Sequence, residues 1–142
     1  GKYLKKLEIS KKVYKSLDAI CNSIDNENVS GIQGMVARGF DKNWRGVLND
    51  SCLTGNAQLA CLLYKISNNK KIMKYQRVAD SIISAIKKTQ NINSSFKEIK
   101  GAIPGSFPIY NGYVSDGFPN WATKFFADAL ILKIDKKMDI KA

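Results

Sequence analysis

Any acid–base catalysis here has to use carboxylates, lysines, tyrosines or a partner's residues, because the sequence contains no histidine. A Ser-His-Asp or Cys-His nucleophile, a His-ligated metal and an imidazole general base are therefore excluded. Three aspartates fall beside aromatic residues or within an otherwise apolar segment: Asp41 in ARGFDKNWRG, Asp116 in YNGYVSDGFPN and Asp128 in WATKFFADAL. A pair drawn from these, with Tyr110 or Tyr113, is what a hydrolase or lyase acting on a glycan would need, and the carboxylate separation would set its mechanism. Whether the chain is catalytic stays open on these residues alone.

Binding chemistry has more candidates. Arg38, Asp41 and Arg45 share one short stretch with Phe40 and Trp44; Tyr110 and Tyr113 flank Asn111-Gly112; Asn120, Trp121 and Lys124 open the last apolar segment. Aromatic faces cover the C–H face of a sugar, amides and carboxylates bond its hydroxyls, and guanidinium pairs with carboxylate or phosphate. A carbohydrate, or another anionic or hydroxyl-rich small ligand, is the partner these residues suit, although the same aromatics could serve only to anchor their loops. No cofactor and no metal is expected: Cys21, Cys52 and Cys61 are odd in number, sit among apolar residues and form no C-x-x-C pair, so they read as buried thiols.

These residues must be positioned by helices. From Tyr3 to Ile24 the apolar positions recur every three or four residues, as they do in 70–89, which predicts two helices with one wet face each. Residues 52–66 and 119–134 have no continuous polar face, which predicts helices buried on nearly all sides, the first capped by Asp50 or Ser51 and the second opened by Pro119. The order outer, inner, outer, inner is that of stacked helical hairpins. Asn56 and Asn120 stand at matching places in the two inner segments, a candidate repeat. On a wheel of 100° per residue, with Asn120 at 0°, Lys124 lies at ~40°, Asp128 at ~80° and Trp121 at ~100°. That sector should face water or a compensating network, because burying an unpaired charge is costly. Lys124 and Asp128 could also simply pair at i,i+4.

Both inner segments follow long loops, 25–50 and 91–117, whose aromatics and turn residues argue for order. Asn111-Gly112 is a strong signal for a tight hairpin turn, with flanks too short for a sheet. At 142 residues, with 44% hydrophobic content, one all-α domain over 1–142 is expected. No apolar run approaches the ~18–20 residues that span a bilayer, and the basic N-terminus lacks the apolar stretch of a signal peptide, so a cytoplasmic location is expected. The net charge of +11 points to an anionic partner or a lysine-rich wet surface. Nucleic acid is disfavoured, because no RNP-type strand, no recognition helix with clustered Arg and Asn and no basic tail is present.

The segment CLTGNAQLACLLYKI, followed after one outer helix by KGAIPGSFPIYNGY and FPNWATKFFADAL, resembles the C-terminal part of bacterial proteins built as α/α toroids. These are similar to the terpenoid-cyclase and prenyltransferase toroid, and some occur with polysaccharide-synthesis genes. The resemblance implies a cavity mouth formed by inner-helix N-termini and their preceding loops, and a role in surface-polysaccharide metabolism. Four helices are fewer than a closed six-hairpin ring requires, so it also implies a C-terminal segment of a larger toroid, or a partial ring that associates with itself or with the remainder. The D-x-D-D motif of triterpene cyclases and the His and Cys ligands of zinc prenyltransferases are missing, which disfavours terpene and prenyl chemistry. A non-catalytic helical interaction domain completing a larger ring is the alternative.

Overall fold

The computed structural model describes residues 2–26, 28–70 and 72–139, with side chains described for 7–24, 29–68 and 72–135. Among these, four helices carry the fold: α1 (Lys2–Asn26), α2 (Leu53–Lys70), α3 (Met73–Thr89) and α4 (Asn120–Asp139). Four two-residue strands accompany them: β1 (Asn28–Val29), β2 (Ile32–Gln33), β3 (Ser51–Cys52) and β4 (Ser106–Phe107). The protein is thus mostly helical, with α2 packed between α3 and α4.

The amphipathic pattern of α3 explains its place. Tyr75, Val78, Ala79, Ile82, Ile83 and Ile86 recur at three- and four-residue spacing and are all buried, while Lys87 and Lys88 in the last turn complement the negative end of the helix. Against them pack Leu53, Ala57, Ala60, Leu63 and Tyr64 of α2, and Ala122, Phe126 and Ala129 of α4 complete the core. The alanines let the helix axes approach closely, and each fully buried Ile or Leu contributes roughly 1.5–3 kcal/mol. Truncating Ile82 to alanine at this centre would cost about 2–5 kcal/mol.

Among the described residues, helix α1 joins the core through its second half. Leu7, Ile9 and Val13 are exposed, whereas Leu17, Cys21 and Ile24 are buried. Asp18 fastens it to α3, accepting a hydrogen bond from the Tyr75 hydroxyl (3.1 Å) and pairing with the Lys74 ammonium (3.3 Å). Asp80 plays the same part on the other side: its Oδ1 accepts from the Tyr64 hydroxyl of α2 and pairs with Lys133 of α4, each at 2.7 Å.

Two expectations are corrected here. Helices α2 and α4 are not covered on all sides. Gly55, Gln58, Leu62 and Lys65 form an exposed strip on α2, and Asn120, Lys124, Ala127, Ile131 and Ile134 form one on α4. Apolar identity at Leu62, Ile131 and Ile134 overstates burial, because no element among the described residues covers those faces. The start of α2 also differs from expectation. Asp50 turns its carboxylate to Arg38, the Ser51 hydroxyl donates to the Val36 carbonyl at 2.7 Å, and the capping acceptor is the Cys52 sulfur, 3.4 Å from the Gly55 amide.

Candidate functional site

The first loop is a ribbon. Its base is the Arg38 amide donating to the Asp50 carbonyl (2.9 Å), its middle the Val47 amide donating to Gly39 (3.1 Å), and its tip a turn closed by the Asp41 amide on the Arg45 carbonyl (2.9 Å). Asp41 builds that tip. Its Oδ1 accepts from the amides of Asn43 (2.8 Å) and Arg45 (2.9 Å), the local bonding that suits aspartate to turns. Trp44 sits between them in the left-handed region, φ +62°, with its ring tilted against Phe40 at a centroid distance of 6.0 Å. An aspartate whose oxygen is spent on two amides of its own turn organises the loop.

The second loop is brought to the first by backbone pairing. Strand β3 pairs antiparallel with β4, Ser51 opposite Phe107 and Cys52 opposite Ser106, and the Leu53 amide donates to the Gly105 carbonyl at 3.0 Å. Beyond β4 the chain folds into stacked turns: the Asn111 amide donates to Pro108 (3.1 Å) and the Asp116 amide to Ile109 (2.7 Å). The Ser106 hydroxyl donates to the Tyr113 carbonyl. Asn111-Gly112 is therefore a turn but not a hairpin of the two-residue kind. That geometry needs positive φ at both central residues, and here Gly112 has it (φ +70°) while Asn111 does not.

The loops meet at Gly112. A side chain there would collide with Asp50 Oδ2 and lie 3.1 Å from Arg38 Nε, so the turn backbone lies directly on the Arg38–Asp50 pair. Arg38 donates from Nε to Asp50 Oδ2 at 2.6 Å; the aspartate side chain is 6% exposed and the arginine 42%. That hydrogen bond, reinforced by the aspartate's charge, holds the guanidinium pKa above its ordinary value, so the cation is permanent. Its bond to Asp50 uses Nε, and the arginine side chain remains partly in solvent. One residue beyond Gly112, the Tyr113 hydroxyl accepts from Trp121 Nε1 at 3.1 Å, and both rings stand partly in solvent at the start of α4.

A separate groove of ≈ 390 Å³ runs between α2 and α4, lined by Gln58, Cys61, Lys65, Lys124, Phe125 and Asp128 among others. Lys124 pairs with Asp128 at 2.6 Å and sits 4.2 Å from the centroid of the Phe125 ring. Both partners are substantially exposed, and such a pair contributes about 0–1 kcal/mol. Cys61 donates its S–H to the Phe125 carbonyl at 3.5 Å. Burial, then the nearby Asp128 carboxylate, push its thiol pKa up, so it stays protonated and is a poor nucleophile.

The sequence-predicted site residues thus divide among several places. Gly112 lies on the Arg38–Asp50 pair, the next residue Tyr113 is hydrogen-bonded to Trp121, and Asn120 is exposed at the same helix start. Asp41, Trp44 and Arg45 hold their own turn, Lys124 and Asp128 lie in the α2–α4 groove, and Tyr110 borders a different groove. Among the described residues the three candidate carboxylates Asp41, Asp116 and Asp128 share no hydrogen-bond partner: Asp41 holds its own turn and Asp128 pairs with Lys124. The predicted match of Asn56 with Asn120 is also corrected: Asn56 is a buried hub within α2, while Asn120 is the exposed first residue of α4. Reading the sequence missed Asp50 as the partner of Arg38, since a charge pair across twelve residues leaves no periodic signal. Gly112 was visible as a turn glycine, but not as the surface on which that pair rests.

Among the described residues no group of three or more His, Cys, Asp or Glu could hold a metal ion, and no helix is long and apolar enough to cross a membrane. Comparison with protein-family models, with curated proteins and with solved structures finds no match.

Proposed function

We propose that the protein is a glycan-directed binding unit of the α/α-toroid type, taking an acidic saccharide or sugar nucleotide of bacterial surface-polysaccharide metabolism at the start of α4. The observation that carries this reading is Arg38. Its Nε is fixed by a buried carboxylate, its side chain is partly exposed, and the Gly112 backbone that lies on the pair runs into Tyr113, which is hydrogen-bonded to Trp121. A guanidinium so oriented is preorganised for carboxylate or phosphate, and the Tyr113–Trp121 rings supply an apolar face for a sugar ring. The amide donors and positive potential of the α4 N-terminus favour the same ligands. The toroid arrangement is supported by α2 and α4 packing together in sequence with the outer helix α3.

The test is calorimetry with uronate-containing oligosaccharides and their neutral counterparts. Acidic chains should bind at least about tenfold more tightly, a difference of 1.4 kcal/mol. Arg38→Gln should abolish that preference, and Trp121→Ala should weaken both series while leaving the fold intact. Equal affinity for acidic and neutral chains, or an unchanged Trp121→Ala variant, would refute the reading.

One observation favours a second reading, a helical domain seating against further helices of a larger ring: Ile131 and Ile134 on α4 are 56% and 55% exposed, and Leu62 of α2 is 43% exposed. Sedimentation of the wild type against Ile131→Glu would discriminate, since only an associating protein would change its mass.

A further inference from the structure

On the far side of the 107–113 loop lies a second groove, of ≈ 460 Å³, between that loop and the end of α3. Its volume is within the range of roughly 300–1,000 Å³ typical of small-molecule sites. The walls are Pro104, Phe107, Tyr110 and Phe118, and the polar edge is Lys88 and Asn91. That edge is held in place from below. The Gln90 carboxamide donates to the Gly101 carbonyl at 2.8 Å, the Asn91 amide donates to Ala102 at 3.1 Å, and the Gly101 amide donates back to Asn91 at 2.7 Å. These hydrogen bonds tie the helix end that supplies the polar edge to residues 101–102.

Its chemistry is one-sided. No carboxylate lines it, and the Lys88 ammonium and Asn91 carboxamide have no hydrogen-bond or ion-pair partner among the described residues. The negative end of α3 is itself moderated there: the Thr89 hydroxyl donates to the Ile86 carbonyl at 2.8 Å and the Gln90 amide to the Lys87 carbonyl at 3.3 Å. An aromatic slot with one unpaired cation and one free amide complements a flat ring that carries an acidic group. Ring stacking on Tyr110, which is 67% exposed, would cover surface now facing water. We infer that this groove is a binding site for a planar anionic small molecule, a ring bearing a carboxylate or phosphate, with the ring against Phe107, Tyr110 and Phe118 and the charge on Lys88. The site stands independently of the Arg38 surface.

Amide-resolved NMR titration of the full chain tests it. The probes are 4-hydroxybenzoate for an aryl carboxylate and adenosine and uridine monophosphates for nucleoside phosphates, each against its neutral counterpart, 4-hydroxybenzyl alcohol or the free nucleoside. The expected result is shifts at residues 88–91 and 107–110, with at least one acidic probe binding tenfold or more tightly than its neutral counterpart. Whichever acid binds more tightly identifies the source of the ring. Lys88→Met, at an exposed helix end, should bring the acid down to the neutral affinity, and Tyr110→Ala should weaken both forms. Arg38→Gln should leave all of these values unchanged. The inference is overturned if no probe shifts those amides, if acid and neutral forms bind alike, or if the shifts appear only around Arg38 and Trp121.

Discussion

Arg38 and Asp50 stand at the two ends of a ribbon in the first loop and close it twice, by a backbone hydrogen bond of 2.9 Å and a side-chain ion pair of 2.6 Å. The aspartate is buried and the arginine is not. Asp50→Asn keeps the shape and an acceptor but removes the charge. We expect a modest loss of about 1–2 kcal/mol in urea melts, because the guanidinium remains partly solvated. Affinity for an acidic saccharide should fall by about tenfold as Arg38 loses its fixed orientation. Unchanged affinity beside a clear loss of stability would show that the pair only ties the loop.

Gly112 offers a sharper probe of the same junction. Its φ of +70° disfavours a side chain, and the space a Cβ would need is taken by Asp50 and Arg38. Gly112→Ala should therefore cost about 1–2 kcal/mol for the backbone conformation, with further loss from the displaced pair. Gly101 has a similar φ of +84° but open space around it, so Gly101→Ala reports the backbone cost alone. Equal melting temperatures for the two variants would mean that the turn does not press on Arg38.

What could be read from the sequence follows from which forces are local. The four helices were legible because three- and four-residue spacing is a property of the chain itself, and the polar sector of α4 was legible because Asn120, Lys124 and Asp128 share it whatever packs nearby. Burial of α2 and α4 was not, since Leu62 or Ile131 looks the same covered or bare. The β1–β2 hairpin was also missed. Its turn places Ser30 (φ +48°) and Gly31 (φ +84°) both in the left-handed region, and Asn49 holds it from nineteen residues away by accepting from the Ser30 amide and hydroxyl. The junction at Gly112 depends on strand pairing between distant loops, which no single stretch encodes.

Asn56 is expected to be the most sensitive polar position. Its Oδ1 accepts from the Val36 amide (2.9 Å), and its Nδ2 donates to the Ser51 hydroxyl (2.8 Å), the Cys52 carbonyl (2.9 Å) and the Val36 carbonyl (3.3 Å). Asn56→Ala strands a buried amide and opens a small cavity, for a loss of about 2–4 kcal/mol. Asn56→Asp should be worse, because it turns an acceptor toward two carbonyl oxygens. Denaturant midpoints measure both. An aspartate variant as stable as wild type would mean that the hub is solvated.

Tyr64 donates to Asp80 and Tyr75 to Asp18, and both tyrosines are buried. Burial, then the hydrogen bond to the aspartate, then its charge, raise both hydroxyls above the ordinary value of 10.0, Tyr75 to about 12 and Tyr64 likewise upward. The sign follows from proton counting. Above the unfolded value the folded state still holds protons that the unfolded chain has released, so stability falls as pH rises. The contribution is fully present below about pH 10 and is lost as pH climbs through the folded values. Urea midpoints should hardly respond to these two groups from neutrality to about pH 9, then decline steeply. Tyr64→Phe should cost about 1 kcal/mol at neutral pH through the lost hydrogen bond, yet flatten the alkaline decline, and Tyr64→Phe with Tyr75→Phe should flatten it further. If the double variant keeps the wild-type alkaline slope, other groups drive it, and the Tyr64–Asp80 and Tyr75–Asp18 contacts do not hold their protons in the folded protein.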